Sequence, residues 1–212
     1  VGDYLLSKGL LLSLNNKDFK VLQILSTAVK EMSEGELLQM EKSRKLNLDE
    51  AVYYEIIKGK TASLLASSCA AGASSTFEDD TLIEKIRLFG EKTGMAFQIK
   101  DDLFDYGNAD IGKPTGNDIQ EKKLTLPLIY TLNKCDAATK KKLIYIIKNE
   151  NTNKAKVQIV IDTVKQTGGI DYATNKMLAY RDEALNLLYE FPKNDVRDAL
   201  EELVRYTTDR IY

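Results

Sequence analysis

The sequence predicts an all-α protein. Apolar residues recur at spacings of three and four along nearly the whole chain, period-2 alternation is scarce, and the three prolines stand at 114, 127 and 192. This periodicity predicts helices over residues 3–14, 18–44, 48–74, 80–106, 124–133, 137–149, 153–167, 171–190 and 195–210.

Local signals support several of the predicted helix ends. Side-chain oxygens suited to N-caps stand at Asp136, at Asn194, at Asn47 with Glu50 three residues later, and in the acidic run 78–80. Two glycines at 168–169 are typical of a helix C-terminus. These signals agree with the helical periodicity and separate neighbouring helices along the chain.

One long segment interrupts the helical pattern. Residues 107–123, GNADIGKPTGNDIQEKK, contain three glycines, a proline and alternating charges, with few apolar side chains. Long loops in compact domains often carry function. We find no internal repeat and no linker elsewhere, so we predict a single all-helical domain over residues 1–212.

The composition excludes several classes of function. The 212 residues include no histidine, which rules out Ser-His-Asp and Cys-His catalysis and leaves carboxylates or two thiolates as metal ligands. A balance of 30 basic against 32 acidic residues predicts no nucleic-acid partner and no anionic membrane surface. The longest apolar stretch, residues 64–73, is too short for stable membrane insertion. The two cysteines favour a reducing, cytoplasmic location.

An acidic stripe on the predicted helix 80–106 is the strongest candidate site. Asp101, Asp102 and Asp105 form a DDxxD arrangement and share one helix face with Gln98. Paired acids on a helix are most often a solvated surface. Here apolar residues border the stripe on both sides, among them Phe97 and Leu103, which favours burial at the mouth of a cavity. Such carboxylates repel one another unless a divalent cation neutralises them, so we predict a Mg²⁺ and diphosphate site.

Lysines near the stripe supply the opposite charge. The long segment contributes Lys113, Lys122 and Lys123 among glycines whose backbone N–H groups can approach phosphate. Further upstream, Lys60 and Thr61 follow Gly59, but the strand and the earlier glycine of a P-loop are missing. Lys60 is therefore either an exposed, snorkelling side chain or a phosphate ligand inside the helical bundle.

Six segments together resemble a known family. They are GDYLLSKGL at 2–10, EGELLQ at 34–39, KTASLL at 60–65, FQIKDDLFD at 97–105, GKPTGND at 112–118 and KKLTLP at 122–127. The chain resembles the trans-isoprenyl diphosphate synthases, or polyprenyl synthetases, of the medium- or long-chain group. The resemblance implies an all-α isoprenoid-synthase bundle around a deep apolar cavity, and a homodimer. It also implies Mg²⁺-dependent ionisation of an allylic diphosphate and its condensation with isopentenyl diphosphate, which makes a longer all-trans polyprenyl diphosphate.

The resemblance also implies roles for individual residues. Asp101, Asp102 and Asp105 would bind Mg²⁺ together with the allylic diphosphate. The diphosphate would be held by Lys60, Lys113 and Lys123. Thr61 and Gln98 resemble the polar pair beside the allylic carbon, where they stabilise positive charge or orient the surrounding groups. Electrostatic stabilisation of the leaving group is the main contribution expected of these side chains.

The chain departs from the family pattern in one respect. The family's first aspartate-rich motif and its isopentenyl site have no counterpart here. The other run of adjacent acids, residues 78–80, stands at a helix start, where acidic side chains cap the helix and favour its dipole. We therefore expect the C-terminal two-thirds of a synthase, without the first helices of the bundle, that cannot elongate prenyl chains alone. The rival interpretations are a terpene cyclase of the same fold, a non-catalytic subunit of a heteromeric synthase, and a helical scaffold without a ligand.

Overall fold

The computed structural model describes residues 1–45, 49–107 and 115–210. These residues form α-helices joined by short connections and contain no β-strand, which confirms the predicted all-α class. The helices are α1 (Gly2–Asn15), α2 (Phe19–Lys45), α3 (Glu50–Ile57), α4 (Ser63–Ser74), α5 (Asp80–Phe104), α6 (Asn117–Gln120), α7 (Leu126–Lys134), α8 (Ala137–Asn149), α9 (Lys154–Gln166), α10 (Gly169–Tyr189) and α11 (Asp195–Asp209).

Most predicted helix ends are confirmed by their hydrogen bonds. Asp79, Asp136 and Asn194 are N-caps whose side chains accept backbone N–H groups of the following turn. Gly168, at φ +78°, follows the end of α9 in the left-handed conformation that glycine favours. The expected cap at Asn47 lies outside the described residues, and Asp49 caps α3 instead by accepting from Val52 N–H.

The sequence interpretation was wrong about the continuous helix over 48–74. A π-helical turn, Lys58–Ala62, separates α3 from α4. A Cβ atom on Gly35 of α2 would lie 2.7 Å from the backbone nitrogen of Lys60, so the two backbones touch at this point. The Ser63 hydroxyl donates a hydrogen bond to the Gly59 carbonyl, which satisfies a backbone group where the helical pattern changes.

Helix α5 is the central element of the fold. It packs along α4 on one side and along α10 on the other, and its residues Ala96 and Ile99 are fully buried in the core. Close packing depends on a glycine, since a Cβ atom on Gly94 would lie 2.6 Å from the Cα of Ala62. This contact brings the acidic end of α5 directly beside the π-helical turn.

The N-terminal helix is less covered. Helix α1 packs against α2 and leaves large apolar side chains exposed, with Leu5 61% and Leu12 62% accessible. None of the helices that the structure describes combines the length and apolar character needed to cross a bilayer.

Candidate functional site

A polar cavity of about 250 Å³ lies between α2, the π-helical turn, α5 and the segment that follows α6. Six of the eight residues predicted for the site line it: Lys60, Thr61, Gln98, Asp101, Asp102 and Lys123. Asp105 is close by but faces elsewhere. Lys113 lies outside the described residues. Chain segments 21 or more residues apart in sequence therefore meet around one opening.

A chain of hydrogen bonds runs along one wall of the cavity. Thr61 Oγ1 donates to Gln98 Oε1 over 2.8 Å, and Gln98 Nε2 donates to Asp102 Oδ1 over 2.9 Å. On the far side of the same carboxylate, Tyr53 donates its hydroxyl to Asp102 Oδ2 over 2.7 Å. The four side chains come from α3, the π-helical turn and α5, so this relay ties three elements together.

Asp102 is a buried carboxylate with a strongly shifted pKa. Only 7% of the residue is accessible, and burial raises its pKa from near 3.8 to about 7. The hydrogen bonds from Tyr53 and Gln98 oppose this shift, while the charges of Asp118 and Asp101 add to it. The stripe is thus buried in part, as its apolar borders predicted, and a carboxyl group with a strongly raised pKa is common at functional sites.

Asp105 makes a different set of contacts. Its two carboxylate oxygens accept the backbone N–H groups of Asn117 at 2.7 Å and Asp118 at 3.2 Å. Burial is the main reason that the pKa of Asp105 rises to about 6, and the neighbouring charge of Asp118 contributes. In this arrangement Asp105 fastens the start of α6 against the end of α5.

Asp118 is a cavity residue that the sequence interpretation did not single out. Burial raises the pKa of its carboxyl group, and the nearby Lys123 opposes that rise. Lys123 Nζ lies 2.5 Å from Glu121 Oε2 and 3.6 Å from Asp118 Oδ1. The DDxxD spacing gave no sign of Asp118, which comes from the segment beyond the long loop and reaches the cavity because Asp105 holds that segment.

The basic residues divide into two groups. Lys60 Nζ reaches into the cavity region and contacts Glu36 Oε2 at 2.6 Å and Gln39 Oε1 at 2.7 Å, both on α2. Lys122 instead donates to the backbone carbonyl of Lys148 at the end of α8, away from the cavity. The Lys60 side chain is 40% accessible and pairs with two residues of α2 beside the cavity.

An arginine from the last described turn of the chain completes the surroundings of Asp101. The guanidinium group of Arg210 lies over the rings of Phe97 and Phe104, with centroid distances of 4.5 and 5.1 Å. Its Nη2 atom is 3.7 Å from Asp101 Oδ1. The sequence offered no signal for this contact, which joins positions more than one hundred residues apart.

The donor set suits a hard divalent cation that shares its ligands with phosphate. Within residues 1–45, 49–107 and 115–210, no three carboxylates or thiolates gather into a metal site. Asp101 has a side chain that is 43% accessible, and Asp118 and Asp102 border the same cavity. Mg²⁺ commonly takes one or two protein carboxylates and completes its shell with water and phosphate oxygens, so these residues fit it.

Comparison with known proteins identifies the class. The family model described as polyprenyl synthetase matches residues 1–164, and the chain belongs to this family. It is 30% identical to heptaprenyl diphosphate synthase component 2 of Geobacillus stearothermophilus, covering all of this chain and 65% of that protein. It is 31% identical to the chloroplastic solanesyl-diphosphate synthase 2 of Oryza sativa subsp. japonica, covering 99% of this chain and 51% of the relative.

A solved structure extends the similarity to three dimensions. The polyprenyl synthase of Caulobacter crescentus CB15, complexed with calcium and isoprenyl diphosphate, superposes with a TM-score of 0.91 at 36% identity. The match covers 100% of this chain and 65% of that one. The chain thus spans about half to two thirds of the length of these relatives.

Proposed function

We propose that the chain forms part of a polyprenyl diphosphate synthase, a prenyltransferase that condenses an allylic diphosphate with isopentenyl diphosphate. The carbon–oxygen bond of the allylic diphosphate breaks, and the diphosphate leaves with the electron pair. The double bond of isopentenyl diphosphate then attacks the allylic carbon, and loss of a proton gives a chain longer by one five-carbon unit. The observation that carries the proposal is the cavity in which Lys60, Lys123, the Thr61–Gln98 pair and the aspartates converge.

The carboxylates would hold the metal side of this site. Asp101 is the most accessible carboxylate of the stripe, and Asp118 borders the same cavity, whereas both oxygens of the buried Asp102 already accept hydrogen bonds. Mg²⁺ bound there would neutralise the charge that develops on the departing diphosphate. Asp105, which the family resemblance includes among the metal ligands, would support the site through the backbone of Asn117 and Asp118.

The lysines would bind the diphosphate oxygens. Lys60 and Lys123 both line the cavity, and Lys113 of the long segment would join them. Without a ligand, Lys60 is paired with Glu36 and Gln39, and Lys123 with Glu121. These pairs keep each ammonium group in place beside the opening, so that a diphosphate would find its donors already oriented.

Exposed apolar side chains and the two free cysteines support proposals for the assembly and the location. We propose a homodimer that covers the exposed apolar side chains of α1, such as Leu5 and Leu12. The name of the Geobacillus relative, component 2, supports a heteromeric assembly as the second candidate. Light scattering of the purified chain, alone and mixed with a candidate partner, distinguishes the two. Cys69 and Cys135 are free thiols, which favours the cytoplasm.

Calorimetric titration with an unreactive substrate analogue tests the proposal. We expect the chain to bind geranyl S-thiolodiphosphate in the presence of Mg²⁺ and not in excess EDTA. Lys60→Gln should weaken this binding by about 10- to 100-fold, the effect of one charged hydrogen bond. Lys122→Gln is the matched control, since Lys122 bonds to a carbonyl of α8, and it should bind like the unchanged protein.

Two results would contradict the proposed function. The first is an absence of Mg²⁺-dependent binding by the unchanged chain. The second is equal binding by the two lysine variants, because the diphosphate would then be held by general charge and not by the cavity. Asp101→Asn supplies an independent check, since it should lower the dependence of binding on Mg²⁺ while the fold stays intact.

A further inference from the structure

The polar relay from Tyr53 to Thr61 has a defined direction. Its members lie in the order Tyr53, Asp102, Gln98 and Thr61. Both oxygens of the Asp102 carboxylate accept a hydrogen bond, one from Tyr53 and one from Gln98. The group that faces Asp102 from Gln98 is the amide nitrogen Nε2, which donates to the carboxylate.

The orientation of Gln98 determines that of Thr61. With Nε2 turned toward Asp102, the amide oxygen Oε1 faces Thr61, and an amide oxygen only accepts. The Thr61 hydroxyl must then donate its proton to Gln98. The lone pairs of Thr61 Oγ1 are then not used by Gln98 and are available to a ligand in the cavity, which Thr61 lines. If the amide were turned round, Gln98 would donate to Thr61 and occupy one of those lone pairs.

Tyr53 fixes the position of Asp102, the residue that orients the rest of the relay. It is 3% accessible, and its hydroxyl occupies the Asp102 oxygen that Gln98 leaves free. Buried polar groups are stabilised when all their partners are in place, and a fully satisfied network specifies one arrangement. Tyr53 does not reach Thr61 itself, so any effect on the chemistry passes through Asp102 and Gln98.

We propose that Tyr53 and Asp102 are positioning residues that orient the Gln98 amide and so keep the Thr61 oxygen as an electron-pair donor toward a positively charged allylic carbon. This inference rests on the proposed function, which supplies the allylic cation. In this inference Asp102 orients the Gln98 amide, and Asp101 is the carboxylate of the pair that is open to a metal ion.

Two unreactive ligands of different charge test the inference. Geranyl S-thiolodiphosphate is neutral at the allylic position, and an aza-analogue with a protonated tertiary amine at that position is positive. Calorimetry with Mg²⁺ gives the affinity of the full chain for each. Tyr53→Phe should reduce the preference for the amine by about 2- to 10-fold, the weight of one hydrogen bond, and leave the neutral ligand bound as before.

Matched variants separate an effect on the orientation of the Gln98 amide from a general disturbance of the fold. Tyr54→Phe makes the same change one residue further on, where the hydroxyl bonds to Glu50, and should leave the preference intact. Thr61→Val should lose the preference and Thr61→Ser should retain it, because serine keeps the oxygen. Asp102→Asn should reduce the preference for the amine, because the Gln98 amide could then adopt either orientation.

The outcomes distinguish this inference from the proposed function. If the unchanged chain fails to bind the neutral diphosphate, the proposed function is wrong and the inference falls with it. If the neutral ligand binds but Tyr53→Phe weakens both ligands equally, or neither, then Tyr53 is only a structural residue and the inference is wrong alone. A selective loss for the positive ligand supports it.

Discussion

Replacement of Asp102 by asparagine should stabilise the metal-free protein at high pH and not at low pH. The folded-state pKa of Asp102 is about 7, above its ordinary value near 3.8. A carboxyl group whose pKa is raised by folding binds its proton more tightly in the folded state. The folded state therefore loses stability as the pH rises from about 4 to about 7, where this group ionises.

The magnitude follows from the size of the shift. About three pKa units, at about 1.4 kcal/mol each, mean that the buried charge costs about 4 kcal/mol above pH 7. Asparagine has the same shape and no charge, but it cannot accept from both Tyr53 and Gln98, which costs about 1 kcal/mol. Asp102→Asn should therefore gain about 3 kcal/mol at pH 8 and well under 1 kcal/mol at pH 5, and it should lose about 1 kcal/mol only below about pH 4.

Urea unfolding monitored by circular dichroism in EDTA, at intervals from pH 5 to pH 8, measures the two free energies of unfolding. Asp162→Asn is the control for the loss of a carboxylate outside the relay, since Asp162 is exposed on α9, where it accepts a hydrogen bond from Gln158. A constant difference between Asp102→Asn and the unchanged protein across this range would refute the reasoning. Mg²⁺ with a diphosphate should flatten the pH dependence of the unchanged protein, since a bound cation offsets the same charge.

Three further predictions concern packing, helix propensity and charge. Gly94→Ala should lower the free energy of unfolding by about 1–2 kcal/mol, because the new Cβ atom would lie 2.6 Å from the Cα atom of Ala62. Urea unfolding measures this difference. A variant as stable as the unchanged protein, or more stable, would show that the contact is loose. Gly72→Ala, with nothing within 4 Å, should instead gain up to about 1 kcal/mol of helix propensity in the same assay. Arg210→Met should tighten Mn²⁺ binding in the absence of diphosphate by about 3- to 10-fold, because it removes a positive charge 3.7 Å from Asp101. Calorimetry that found unchanged or weaker Mn²⁺ binding would exclude this electrostatic role for Arg210.

The helical architecture could be predicted because its signals are local. Periodicity placed the helices, and the caps at Asp79, Asp136 and Asn194 were recognisable from short side chains before apolar runs. The break between α3 and α4 could not be predicted from periodicity. It depends on the approach of Gly35 to the backbone of Lys60, which is a contact between distant segments.

The site was predictable to the extent that its residues share one helix or one short motif. Gln98, Asp101 and Asp102 lie on one face of α5, and helical geometry alone brings them together. The different roles of neighbouring aspartates could not be read from their spacing, since they depend on partners such as Tyr53 from α3 and Asn117 from α6. Arg210 was missed for the same reason, because only tertiary packing sets its guanidinium over Phe97.

The π-helical turn at 58–62 also affects how this region can change during evolution or design. A π turn contains one residue more than an α-helical turn of the same rise, so every side chain after it is rotated by about 100° relative to a continuous helix. Removing one residue here would restore a regular helix and redirect the core face of α4, including Ala66 and Ala70, away from α5. The length of this five-residue segment should therefore tolerate little variation, and in a scan of single-residue insertions across α3 and α4 the free energy of unfolding should be lowest for insertions at the turn.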